Sequence, residues 1–251
     1  MSVWEILALL GGGLTAGTVN AIAGGGSLIT FPLLVALGLP GVAANVSNAL
    51  SVAPGYAASA VGSRPDLTGQ GRRILTIIPT IVVGALSGSA LLLFTPRGVF
   101  DVVVPFLLLL AAAMMAFQGR LRTLAGHPRD NSPRKVTVLV QVAVFLCGLY
   151  GGYFNAAMGL LLIAALALVL DEPLRRIGAL KNVFSAVVGA TTVLTYSVFG
   201  PVNWAVVAVL APATVIGGFA GAKIARHLPS EVLRWTIVAF AVVVAVALFL
   251  T

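Results

Sequence analysis

Residues Thr18 to Pro32 read TVNAIAGGGSLITFP. An apolar run beginning at Trp4 ends at the glycine triplet Gly24–Gly26, and a second run, Ser27–Leu39, follows at once. At about 1.5 Å per residue, this second run covers only about 20 Å of a hydrocarbon core about 30 Å thick. The stretch therefore predicts a helical hairpin or a discontinuous helix, not two ordinary crossings.

The rest of the chain supplies the setting. It has 251 residues, 59% apolar and 9% charged, with mean hydropathy +1.08. Soluble domains carry about 25% charged residues, so a water-soluble enzyme, a disordered chain and a nucleic-acid binder are all excluded. The net charge of +8 fits basic loops flanking membrane segments. The single cysteine, Cys147, precludes an internal disulfide and is expected to pack as a small apolar residue. The start, MSVWEILALLGGG, lacks the basic opening of a secretory signal and is expected to be the first membrane segment.

The chain also reads as two copies at an offset of 133 to 135 residues. Asn20 falls on Asn155, Gly24 on Gly159, Asn48 on Asn182, Ser51 on Ser185 and Gly55 on Gly189. Pro79, Gly84, Gly88 and Pro96 fall on Pro212, Gly217, Gly221 and Pro229. Each half has five apolar pieces. The first half gives Trp4–Ala23, Ser27–Leu39, Ala43–Val61, Ile74–Phe94 and Val99–Phe117. The second gives Val136–Phe154, Gly159–Leu170, Ile177–Phe199, Trp204–Ala225 and Val232–Leu250, again with a short second piece.

If each opening pair returns to the side it came from, every Lys and Arg except Arg97 lies on one face. The positive-inside rule selects that arrangement. It places both termini outside, the linker in the cytoplasm, and the two halves in opposite orientations. The expected architecture is an all-α polytopic membrane protein of two inverted repeats. Each repeat has a broken or short helical hairpin followed by three spanning helices. The first repeat covers residues 1–118, the cytoplasmic linker 119–135 and the second repeat 136–251.

Chemistry has few places to reside. The acids lie near segment ends or in loops, and no intramembrane carboxylate pair, His/Cys cluster or nucleophile with a base is visible. No enzyme, metal site or cofactor is expected. Gly24, Gly25 and Gly26, with Ser27 at an N-cap position, could present backbone N–H groups and the positive end of a helix dipole to an anion. They could equally serve close helix packing. Asn48 and Ser51 share a helix face by their i, i+3 spacing, and either bind anion oxygens or bridge helices. Lys181, next to Asn182, is either a charge partner for an anion or a side chain snorkelling to the interface beside Arg175 and Arg176.

These residues carry a family likeness. The GGG-containing stretch Asn20–Pro32, the short Leu-rich segment after it and the Ala/Asn/Ser helix Ala43–Ser51 resemble the sulfite exporter TauE/SafE family, also called the toluene-sulfonate uptake permease superfamily. The likeness spans essentially the whole chain, including the duplicated order of segments. It implies an integral inner-membrane protein that moves sulfite, sulfonates or related small organic or sulfur-containing anions. Two features depart from the family pattern. The second copy, NAAMGLLLIAALALVLDEP from Asn155 to Pro173, keeps only Gly159 of the triplet. Asn48 stands where a Gly-Thr-Ser-like sequence is more typical.

The expected function is a secondary transporter of a small anion, embedded in the lipid bilayer of a bacterial inner membrane and working by alternating access between the repeats. The expected site gathers Asn20, Gly24, Gly25, Gly26, Ser27, Asn48, Ser51, Asn155, Gly159, Lys181, Asn182 and Ser185. A homo-oligomer is compatible with the sequence, and nucleic acid is not an expected partner. The competing expectation is a non-transporting membrane scaffold in which the same residues pack helices.

Overall fold

The computed structural model describes residues 1–22, 24–117, 120 and 133–224, with single positions between 235 and 246. Most of the linker 119–135 and of the last apolar piece, Val232–Leu250, lies outside the described residues, as do Pro229, Arg122, Arg129, Arg226 and Arg234. The described chain forms α1 (Val3–Ile22), α2 (Ser27–Ala36), α3 (Gly41–Gly62), a short 3-10 turn (Arg64–Leu67), α4 (Gly71–Phe94) and α5 (Arg97–Ala116). Then come α6 (Pro133–Tyr153), α7 (Met158–Val169), α8 (Leu174–Phe199) and α9 (Trp204–Ile224).

The helix limits follow from local chemistry. α2 ends before the apolar run does, because Gly38 takes φ 86° and its N–H and that of Leu39 return to the carbonyls of Val35 and Leu34. Pro40 then sets the extended entry to α3, and Pro173 sets the same entry to α8. Among the described residues, four segments are long and apolar enough to cross a membrane: Val3–Ile22, Gly71–Phe94, Arg175–Phe199 and Trp204–Gly221. The outer surface is apolar as well, with Trp4, Leu75, Phe94 and Val198 each more than two-thirds exposed. Water does not tolerate such a surface, whereas hydrocarbon does. The protein is an all-α, multi-helix membrane protein.

Two close helix pairs frame the molecule: α1 lies along α9, and α4 along α6. Glycines make both contacts. A Cβ on Gly88 would stand 2.0 Å from the Leu149 carbonyl oxygen, and one on Gly217 would stand 2.1 Å from that of Leu14. Without side chains at these points the backbones touch, which strengthens dispersion contacts where no hydrophobic force acts between helices. Between the two pairs, α3 packs on α8 and α9, and α8 on α4. α3 and α8 cross where Ala53 meets Gly189.

Each short helix forms the heart of one core. Leu28, Phe31 and Leu34 of α2 pack with residues of α1, α3, α5 and α9, and Phe31 meets Phe154 edge-on at 5.3 Å. Met158, Leu162 and Leu166 of α7 pack with α3, α4, α6 and α8, and Cys147 is buried in this second core. The basic end is tied by charge. The Glu172 carboxylate accepts from Arg73 at 2.9 Å, Arg176 at 3.0 Å and Gln70 at 2.8 Å, and Arg175 meets Asp66 at 2.6 Å. These bonds join the α7–α8 connection to the segment before α4.

Two outcomes test this packing. Gly88→Ala should lower the melting temperature in detergent, at a cost of about 1–3 kcal/mol. Gly11→Ala should be neutral or stabilising by up to about 1 kcal/mol, since a Cβ there meets nothing within 4 Å. The arginines, Arg73 foremost, hold the Glu172 carboxyl at about 2, down from 4.5. A depressed folded pKa gives stability that is complete above the unfolded value and lost on acidification through the folded one. The melting-temperature gap between wild type and Glu172→Gln should therefore be constant above pH 4.5 and close as pH falls towards about 2.

Candidate functional site

The first helix break is built around Asn20. This residue is 1% exposed in the last turn of α1, and its Oδ1 accepts from the Gly26 N–H at 2.7 Å. Gly24 turns the chain at φ 85°, a backbone conformation that L side chains rarely adopt. A Cβ on Gly26 would stand 2.1 Å from the Ala16 carbonyl oxygen, so the break folds α2 directly onto α1. The N-cap is Gly26, and Ser27 is the first helical residue, making no side-chain cap bond.

The second break has the same sense but different residues. Asn155 takes φ 64° and Ala157 φ 57°, both left-handed. Asn tolerates this region, whereas Ala pays about 1–2 kcal/mol for it. The Tyr150 hydroxyl donates to the Ala156 carbonyl at 2.7 Å and holds the turn closed. Unlike the glycine triplet of the first break, a left-handed alanine leaves no compositional trace.

The two breaks meet. A Cβ on Gly24 would lie 2.5 Å from the Gly159 Cα, and one on Gly159 would lie 3.0 Å from the Lys181 Cδ. Lys181 is 1% exposed, and its Nζ donates to the Asn20 carbonyl at 2.8 Å, with the Ala21 carbonyl at 3.4 Å. The ammonium thus sits on the carbonyl end of α1, where the helix dipole favours a cation. It does not reach the interface beside Arg175 and Arg176. Among the described residues, Lys181 is the sole buried charged side chain.

Beside this contact lies a group of buried polar atoms. The Tyr56 hydroxyl faces Ser27 and Asn155 without reaching hydrogen-bond geometry with either. Ser27 Oγ, both polar atoms of the Asn155 amide and the Tyr56 hydroxyl are buried with no hydrogen-bond partner; Ser185 Oγ of α8 is likewise buried and unpartnered, without a contact that ties it to this group. Each unsatisfied buried group costs about 1–3 kcal/mol. Such a concentration of hydroxyls and amides suits the oxygens of a small anion.

Other expected residues are engaged elsewhere. The Thr30 hydroxyl donates to Asn48 Oδ1 across α2 and α3, which leaves Asn48 Nδ2 buried and unpartnered. Ser51 donates back to Ser47 O at 2.7 Å, and its carbonyl accepts from Thr214 of α9. Asn182 donates to Ser63 Oγ at 2.7 Å, beyond the end of α3. So Asn20, Gly24, Gly26 and Lys181 form one connected group with Gly159, and Ser27 and Asn155 join through Tyr56. Tyr56 and Thr30 were not legible as site residues. The available signal was a lone Tyr in the small-residue helix and a lone Thr within a Leu-rich one. Among the described residues, no group of three His, Cys, Asp or Glu is placed to hold a metal ion.

The breaks yield a paired outcome. Ala157→Gly should raise the melting temperature, by about 1 kcal/mol of relieved backbone energy. Gly24→Ala should lower it by about 2 kcal/mol or more, since it adds left-handed strain to a clash with Gly159. Thermal unfolding of both variants in one detergent checks the signs.

Comparison with known proteins bears on this arrangement. The family model described as "Sulfite exporter TauE/SafE" matches residues 9–248. A "Probable membrane transporter protein" of Haemophilus influenzae is 25% identical over 224 residues, covering 88% of this chain and 86% of that protein. The "Probable membrane transporter protein YfcA" of Escherichia coli K12 is 26% identical over 222 residues, covering 86% and 77%. "Probable membrane transporter protein ORF9" of Sinorhizobium sp. is 25% identical over 242 residues, covering 93% and 88%. No solved structure matches the chain. The match across nearly the whole length, on a bundle of apolar helices, makes the protein a membrane transporter, not an enzyme, and the chain belongs to the TauE/SafE sulfite exporter family.

Proposed function

We propose that this transporter carries a small oxyanion, of the sulfite, sulfonate or related organosulfur or organic anion class, by alternating access between two inverted repeats. The observation that carries the proposal is the buried Lys181, held at the contact of the two helix breaks. An ammonium removed from solvent inside a membrane protein is costly, and an anion is its natural partner. The neutral donors nearby, Ser27, Tyr56 and Asn155, are suited to the oxygens of the same anion. In the described conformation the breaks touch, so an anion gains access only when they part.

The repeat reading is supported by how the helices exchange partners. The first helix of one half lies on the fourth apolar piece of the other, α1 on α9 and α6 on α4. The glycines of both contacts are repeat mates: Gly84 and Gly88 lie on Phe145 and Leu149, and Gly217 and Gly221 on Leu14 and Thr18. The residues on which they lie are offset by 131 positions, close to the 133 that separate the glycines themselves. With the positive-inside rule, this favours oppositely oriented halves, outer termini and a cytoplasmic linker. The site comprises Asn20, Gly24–Ser27, Asn155, Gly159, Lys181 and Tyr56, with Asn48, Ser51, Asn182 and Ser185 placed to adjust its helices.

The scaffold reading gains from the interhelical bond that the Thr214 hydroxyl donates to the Ser51 carbonyl. Flux into sealed proteoliposomes separates the two. A labelled panel of sulfite, sulfonates, sulfate and small carboxylates should show one saturable class absent from empty vesicles. Lys181→Ala should lower that flux at least tenfold, while Lys181→Arg keeps part of it. The folded fraction is read by size exclusion and thermal unfolding. Full flux in Lys181→Ala would remove the lysine from the site, and no flux of any anion from folded wild type would favour the scaffold.

A further inference from the structure

A cavity with a cationic mouth lies away from the helix breaks, at the basic end of the bundle. Its volume is about 590 Å³, and it is wedged between the first turns of α4, the start of α6 and the α7–α8 connection. Arg72, Arg73 and Arg176 line it with one carboxylate, Glu172, which leaves an excess of two positive charges. The carboxylate engages Arg73 and Arg176. Arg72, in the first turn of α4, is exposed and forms no ion pair among the described residues.

The rest of the lining is different in kind. Ile77, Val140 and Leu170 supply apolar wall, and the helices on either side continue as exposed hydrocarbon surface. Leu75 of α4 is 71% exposed, and Val138 and Leu139 of α6 are 55% and 47% exposed. The cavity therefore joins a cationic mouth to a surface that faces lipid chains. It stands at helix ends, the depth at which headgroups lie.

We infer that this cavity binds the headgroup of an anionic phospholipid, its phosphate against Arg72, Arg73 and Arg176 and its chains along α4 and α6. Guanidinium forks match phosphate oxygens in geometry and charge. Basic pockets between membrane helices near the interface recognise such headgroups. A soluble anion would use the arginines but gain nothing from the apolar wall. The charge excess disfavours a zwitterionic lipid, because its own cation meets the same arginines.

The inference is independent of what the protein transports. The test is native mass spectrometry of the detergent-purified full chain, titrated with phosphatidylglycerol and, separately, phosphatidylcholine. Wild type should retain phosphatidylglycerol over phosphatidylcholine, and Arg72→Gln should weaken that binding about fivefold. Arg64→Gln, an exposed arginine at the same end but outside the cavity, should leave it unchanged. Arg72→Gln leaves the Glu172 bonds intact, and its unchanged melting temperature would show that folding is retained. Equal retention of both lipids, or equal loss in both variants, would overturn the inference. So would displacement of the lipid by inorganic phosphate or glycerol phosphate at similar concentration, which would make this a site for free anions.

Discussion

Backbone polarity is the constraint on which the rest depends. Inside hydrocarbon every N–H and C=O must be satisfied by the protein itself, so a helix can stop within the membrane only where other protein covers its end. Both breaks meet this condition by leaning on each other. The Asn20 side chain takes the Gly26 N–H, Lys181 takes the carbonyls that end α1, and the Tyr150 hydroxyl takes a carbonyl of the second break. The Gly24–Gly159 contact brings these pieces to one place. The short helices can then act as core elements, each surrounded by its own apolar cluster.

The sequence was most informative where chemistry is local. Runs of apolar residues ended by Gly or Pro gave the helices to within a few residues, as with α4, predicted from Ile74 and beginning at Gly71. α2 is shorter than its apolar run because Leu37 and Leu39 are apolar but follow the last helical turn, which the left-handed Gly38 closes. The site was legible in part. Asn20 and Lys181 are rare residue types in apolar surroundings, and Gly24 opens the triplet that interrupts them, so these positions stand out. Tyr56 did not, because its role depends on packing between α3 and two breaks distant in sequence. Which way Asn182 would turn was equally hidden, since rotation by one residue on α8 separates its direction from that of Lys181.

Two polar regions emerge with different characters. The central one combines one cation with neutral hydroxyls and amides, and hides both from solvent. The one at the basic end is open, rich in arginine and bound to an internal carboxylate. Burial separates them: a neutral donor is useful where water is excluded, whereas an exposed charge retains effect only through number. The same chain thus uses amide and hydroxyl chemistry in its interior and guanidinium chemistry at its border.

The unequal breaks have a consequence for the energy landscape. Glycine at the first break occupies positive and negative φ with similar ease, so the torsion there exerts little bias on which shape the chain prefers. Ala157 at the second break behaves otherwise. Its φ of 57° raises the energy of the described arrangement by about 1–2 kcal/mol relative to one with negative φ, a factor of about 5–30 in population. One half of the molecule is torsionally indifferent, while the other is a loaded spring restrained by its neighbours.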